Sequence, residues 1–337
     1  MNNESRMQIS REALIRIAKE TAEKSALSDP DLVAAYLTGS LRTGDPFMGN
    51  AADVDIVFIH AGEPKLRREI VALTPEIHLD IIHNPRRLYE KPKELRVNPW
   101  LGPELYDPLP LYVTRHFFEF VQAGVRDRYH ESASVQARSH QLAQAARQAW
   151  SKLQTNPAFG PLKILDYLES LSLAAHAVAL LTGGLLSERR FLLQFPASAR
   201  AAGQPELAGV LLSLLGGTDL EGSALTGLLP EWEKSFLDAA SSPAVDKRIA
   251  TPRLGYYKLA FQSMLSGELP QATLWPLLLS WTLAVSVLPP MGQARWHLAC
   301  GLLGLDEASF GGRLAGLDHF LDSVELILEK MTVSQGL

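Results

Sequence analysis

The chain has 337 residues, 47% hydrophobic and 20% charged, enough for two domains that each bury a core. Lys+Arg 32 against Asp+Glu 37 leaves a net charge of -5, spread evenly, so no basic strip is present to grip a nucleic-acid backbone. A single cysteine, Cys300, excludes an internal disulfide and the paired-thiol zinc spacings; with no basic start and apolar run at the N-terminus, the expected location is cytoplasmic.

In chain order, residues 8–25 put Leu14, Ile17, Ala18 and Ala22 on one face and Lys19, Glu20, Glu23 and Lys24 on the other, which predicts an amphipathic helix ending near Asp29-Pro30. Three aliphatic, β-branched runs, 32–38, 54–59 and 77–82, predict strands. Between the second and third, 64–73 has the length and apolar spacing of a crossover helix, and strands alternating with helices imply an α/β arrangement. Pro92, Pro99, Pro103, Pro108 and Pro110 predict an irregular stretch, followed by a helix from Thr114 towards Tyr129.

From residue 131 the pattern changes to long 3.6-period segments, with Ile164, Leu165, Leu168, Leu171, Ala175 and Val178 on one face, and the remainder is expected to be all helical. Gly183-Gly184, Gly216-Gly217 and Ser241-Ser242-Pro243 mark its connections. The most apolar run, 273–288, contains Pro276 and falls short of the roughly 18 to 20 residues that cross a bilayer, so it reads as a buried helix and no membrane partner is expected. His176 and the Trp275, Trp281 and Trp296 group read as helical core, and Arg189-Arg190 as a solvated helix start.

The chemistry is concentrated in two segments. Tyr36-Leu37-Thr38-Gly39-Ser40-Leu41-Arg42 runs an apolar strand into a Gly-Ser turn, where Gly39 permits close backbone approach and Ser40 offers a hydroxyl and an N–H to phosphate oxygens. Asp53 and Asp55, two apart on a strand, project to one side while Val54, Ile56 and Phe58 pack on the other. Two like charges so placed suit magnesium, a hard cation with oxygen ligands. Asp80, inside Ile77-His78-Leu79-Asp80-Ile81-Ile82, adds an acid where a buried strand excludes charge unless it is paired or ligated. His83 points away from His78 and Asp80 by strand alternation. The two glycines spanning Gly44 to Gly49 are not a P-loop, because Asn50 and Ala51 stand where Lys and Ser/Thr are needed, and neither a G-x-G-x-x-G nor a G-x-S-x-G motif occurs.

This order, apolar strand, Gly-Ser, D-x-D on the next strand, then a third acid, resembles the DNA polymerase β-like nucleotidyltransferase superfamily, and in organisation the aminoglycoside nucleotidyltransferases. The resemblance implies an α+β fold: a small mixed-sheet catalytic domain, residues 1–130, followed by an all-helical acceptor-binding domain, residues 131–337. It implies a magnesium-dependent enzyme that moves a nucleoside monophosphate, AMP from ATP, to a hydroxyl of a small-molecule acceptor. Gly39 and Ser40 would hold the β and γ phosphates, Asp53 and Asp55 would bind the metal, and Asp80 would complete the metal site or activate the acceptor. Arg42 is the nearby phosphate ligand; Lys258, ahead of Lys163, is the expected cation from the helical domain.

Two features depart from the pattern. Asp45-Pro46-Phe47-Met48-Gly49-Asn50 lengthens the connection from Gly-Ser to the acidic pair, and Thr43 stands where some relatives carry arginine. Two alternatives have the same fold: nucleotidylation of a partner protein, and a nucleotide-binding scaffold without turnover.

Overall fold

The computed structural model describes residues 9–114, 116–155 and 158–334. Helix α1 (Arg11–Ser28) begins at Ser10, whose side chain accepts from the Ala13 N–H, the arrangement that satisfies a free donor of a first turn. Strands β1 (Leu32–Leu37), β2 (Ala52–His60), β3 (Arg68–Ala72), β4 (Ile77–Pro85) and β5 (Leu109–Val113) form a mixed sheet of order β3-β4-β2-β1-β5. The β2/β4 pair is parallel and the other pairs are antiparallel. The short turn α2 (Ser40–Thr43) follows β1. The rest of the sheet region is α3 (Pro92–Val97), α4 (Leu101–Tyr106) and α5 (Phe117–Arg126).

The crossover helix expected at 64–73 is corrected: Arg68–Ala72 is edge strand β3, paired antiparallel with β4 from Arg68↔Ile82 to Ala72↔His78. Pro64 and the β-branched Ile70-Val71 favour the extended chain, and an exposed edge tolerates its charged and apolar alternation. The proline-rich stretch is also more ordered than expected, since prolines at first-turn or edge positions do not break α3 or β5.

The sheet is packed on both faces. Val54, Ile56, Phe58, Leu79 and Ile81 meet Leu14, Ala18 and Ala22 of α1. On the opposite face Ala34, Tyr36, Val57 and Ile59 lie under Leu95, Leu105, Phe118 and Val121 of α3 to α5. That second layer covers only part of its face, and the end of β2 and β4 that carries the acids is covered instead by the helical region.

The helical region comprises α6 (Ser132–Thr155), α7 (Pro161–Thr182), α8 (Phe191–Ala201), α9 (Leu207–Leu214), α10 (Gly222–Ala240), α11 (Leu254–Leu265), α12 (Leu274–Val285), α13 (Pro290–Leu302) and α14 (Phe310–Ser334). The expected core of Trp275, Trp281 and Trp296 is buried, and Trp232 joins it. Trp232 donates to Ser280 Oγ at 2.9 Å, Trp281 to Ser235 Oγ at 3.0 Å and Trp296 to Thr282 Oγ1 at 3.0 Å. His176 is buried as expected and accepts from the Leu186 N–H, and burial pushes its imidazole down to about 4. By length and composition α7 could cross a membrane, but 72% of its apolar window is buried among the other helices. Helix α12 is buried along nearly its whole length.

Candidate functional site

The parallel register places Asp53 beside His78 and Asp55 beside Asp80, on the face turned away from α1. The Gly39-Ser40 turn lies against this end of the strands, and the Thr38 N–H donates to the Asp55 carbonyl. Gly39 has φ 71° and ψ -158°, a region that only glycine occupies readily, and a Cβ there would overlap the Asp55 carboxylate. Glycine is therefore required both by the backbone angle and by the acid packed on it.

These residues line one cleft of about 250 Å³ with Asp53, Asp55 and Asp80 at its base. The Ser40 hydroxyl is buried and has no hydrogen-bond partner among the described residues. An orphaned donor in a polar cleft is costly without a ligand.

The opposite wall comes from the helical region and was not anticipated. Arg189, expected to be solvated, is 2% exposed. Its guanidinium donates to the Ala51 carbonyl at 3.2 Å and the Pro46 carbonyl at 3.3 Å, stacks 3.6 Å over the Tyr256 ring and stands 3.7 Å from Asp53 Oδ1. Those partners replace the water it gives up. Arg190 donates to the Phe47 carbonyl at 2.7 Å, so the lengthened 45–50 connection is clasped by the two arginines. Tyr256, at the start of α11, donates to Asp53 Oδ2 at 2.6 Å, and Tyr257 donates to Glu188 Oε1 at 2.5 Å.

The three acids have different surroundings. Asp80 is 2% exposed; Arg68 Nε donates to its Oδ1 at 2.8 Å and Nη2 to its Oδ2 at 2.6 Å, and Arg253 Nη1 donates to Oδ2 at 2.7 Å. Burial would raise the Asp53 carboxyl, but the nearby Arg189 and Arg253 guanidiniums together with the Tyr256 hydrogen bond hold it below the usual carboxylate range. Asp55 makes no ion pair among the described residues, and burial, with Asp53 and Asp80 as like-charged neighbours, raises its carboxyl well above that range. His78 is fully buried with both ring nitrogens unpartnered, edge-on to Tyr256 at 4.9 Å, and burial pushes it down to about 4, so it stays neutral. His83 faces away from this centre, within 2.9 Å of His60 and 3.1 Å of Glu69 Oε1.

Of the residues singled out from the sequence, the fold brings together Gly39, Ser40, Asp53, Asp55 and Asp80. It does not bring Arg42, which pairs with Asp107, or Lys258, which pairs with Glu233 at 2.7 Å and lines a separate apolar groove beside Pro75. Lys163 lies 5.7 Å over the Phe310 ring, outside the cleft. Sequence reasoning missed Arg68, Arg189, Arg253 and Tyr256. Arg68 was hidden by the helix expected there. For the others the only signal was a pair of arginines and a Pro-Arg step next to Tyr-Tyr, neither of which has a defining spacing.

Magnesium keeps several waters and commonly takes one or two carboxylates plus substrate phosphates. The pair Asp53 and Asp55 fits that demand: Asp55 carries no cation of its own and the orphaned Ser40 hydroxyl stands beside them. Asp80 does not fit it, since both its oxygens are occupied by guanidiniums. Among the described residues no group of three or more His, Cys, Asp and Glu is placed to hold a metal ion.

No protein-family model and no curated protein matches the chain. Among solved structures similar to it is a nucleotidyltransferase-like protein from Exiguobacterium sibiricum 255-15, at 13% identity and a TM-score of 0.28, covering 96% of this chain and 92% of that one.

Proposed function

We propose that the chain is a magnesium-dependent nucleotidyltransferase that moves a nucleoside monophosphate, AMP from ATP, to a hydroxyl of a small-molecule acceptor. The observation that carries this reading is the paired Asp53 and Asp55 on one strand face, set against the Gly39-Ser40 turn in one cleft walled by Arg68, Arg189, Arg190 and Arg253. Acids for a cation and guanidiniums for phosphates meeting in one place suit a nucleoside triphosphate better than a neutral ligand or a simple cation. Magnesium bound there would offset charge on the α-phosphate and on the leaving pyrophosphate.

Asp53 and Asp55 hold that cation, and the Tyr256 hydroxyl fixes the rotamer of Asp53 by its 2.6 Å hydrogen bond. Ser40 donates its free hydroxyl to a phosphate oxygen. The arginine wall orients the triphosphate for in-line displacement and excludes water from the strand ends.

Titration calorimetry with a non-hydrolysable ATP analogue, with and without magnesium, tests this. Binding that requires both magnesium and Asp55 is expected; failure to bind any nucleoside triphosphate overturns the reading. A second reading, nucleotide binding without turnover, is favoured by one observation, the engagement of both Asp80 oxygens by arginine. Tight nucleotide binding with no nucleotide transferred to any of a panel of acceptor alcohols or aminoglycosides would select it.

A further inference from the structure

We infer that Asp80 is a positioning residue and not a metal ligand: it anchors Arg68 and Arg253 as a two-armed seat for the phosphate tail, while Asp53 and Asp55 alone hold the cation. This rests on the nucleotide reading above and specifies how its site divides the work.

The bonding of Asp80 carries the inference. Arg68 approaches side-on with two nitrogens, the paired geometry that makes arginine–carboxylate contacts strong, and Arg253 adds a third hydrogen bond to Oδ2. Asp80 and Arg253 are 2% and 3% exposed, so a ligand role would require breaking an ion pair out of reach of water, leaving a guanidinium uncompensated. Asp55, directly beside it in the β2/β4 register, has no such partner. Cation binding therefore relieves repulsion at Asp55 but would cost an existing pair at Asp80.

The same bonds leave donors free for an anion. Arg253 Nε is buried and unpartnered, and Nη1 of Arg68 is not used by Asp80. The two arginines arrive from separate parts of the fold, Arg68 from edge strand β3 and Arg253 from the turn Thr251–Arg253 before α11. Asp80 is the point at which both are fixed, and both line the cleft. Strand pairing explains the reach: Arg68 sits opposite Ile82, diagonal to Asp80 on the same sheet face.

The test uses the full chain and two probes, Mn2+ followed by electron paramagnetic resonance as the cation, and inorganic tripolyphosphate in EDTA as the anion. Asp55→Asn should weaken Mn2+ binding by about 10-fold or more and leave tripolyphosphate binding intact or tighter. Asp80→Asn should do the reverse, weakening tripolyphosphate by about 10-fold while Mn2+ affinity stays within about 3-fold. Asp80→Asn exposes the fold to an unpaired Arg253, so Arg68→Ala is the second variant, at a position 31% exposed. It should weaken tripolyphosphate and leave Mn2+ affinity unchanged.

If Asp80 is a ligand masked by arginine, Arg68→Ala raises Mn2+ affinity and Asp80→Asn lowers it as far as Asp55→Asn does; either result overturns the inference. A native chain that binds neither probe overturns the nucleotide reading itself, which the variants alone cannot do.

Discussion

The two walls of the cleft were built by different means. The sheet side supplies acids at fixed intervals on two paired strands, Asp53 and Asp55 on β2 and Asp80 on β4, so that strand alternation and the parallel register send them to one face. The helical side supplies Arg189, Arg253 and Tyr256 from a loop, a one-turn helix and the first turn of α11, with no common spacing. A regular strand makes a charge pattern readable in sequence; a site assembled from helix ends does not, because chain contacts set the meeting point. The walls also differ electrostatically, since the arginines stabilise two of the acids and leave Asp55 as the unpaired one.

Neutralising that unpaired acid is the sharpest way to separate the two sides. Asp55→Asn is expected to lose magnesium-dependent binding of an ATP analogue by about 10-fold or more in calorimetry. The same change removes like-charge repulsion, so the melting temperature should hold or rise. A fall in both would mean that Asp55 supports the fold as well as the ligand.

Arg253→Ala attacks the opposite wall and should destabilise the whole protein. It leaves Asp80 buried with half its compensation, which by analogy with broken buried pairs costs about 3 to 5 kcal/mol in urea unfolding. An unchanged midpoint would show that Arg68 satisfies Asp80 by itself.

His176 stresses the helical side without touching the cleft. Its imidazole sits at about 4 when folded and near the ordinary 6.5 when unfolded, so the unfolded chain binds more protons between those values. Stability from this group is present above pH 6.5 and is lost as pH falls towards 4, amounting to at most about 3 kcal/mol. His176→Phe should flatten that part of a stability-against-pH curve; a curve identical to that of the native chain would assign the dependence elsewhere.

Gly39→Ala tests how closely the turn and the acid are fitted. Forcing a side chain to φ 71° costs about 1 to 3 kcal/mol, and the new methyl displaces the Asp55 carboxylate, so nucleotide binding should fall further than stability does. Equal losses would indicate strain alone. The smallest effect is expected at Lys258→Ala, because its pair with Glu233 is partly solvated and contributes under about 1 kcal/mol. Unchanged nucleotide affinity in that variant is the expected result, and a loss would extend the cleft along α11 beyond Tyr256.

By itself the amino-acid sequence determined β1, β2 and β4, the helix before them, the helical remainder, and the placement of Asp53 and Asp55 on one face of their strand. These follow from periodicity, which is a local property of the chain. Only the tertiary structure decided that 68–72 is an edge strand, because a short segment with mixed spacing takes its state from the strand it can pair with. It also decided which cations reach the acids. Lys258 and Arg42 had the expected chemistry but are paired elsewhere, whereas Arg68, Arg189 and Arg253 are held over the cleft by carboxylates, backbone carbonyls and an aromatic face. A guanidinium on a long side chain is placed by such partners, and those come from distant parts of the chain that no local spacing records.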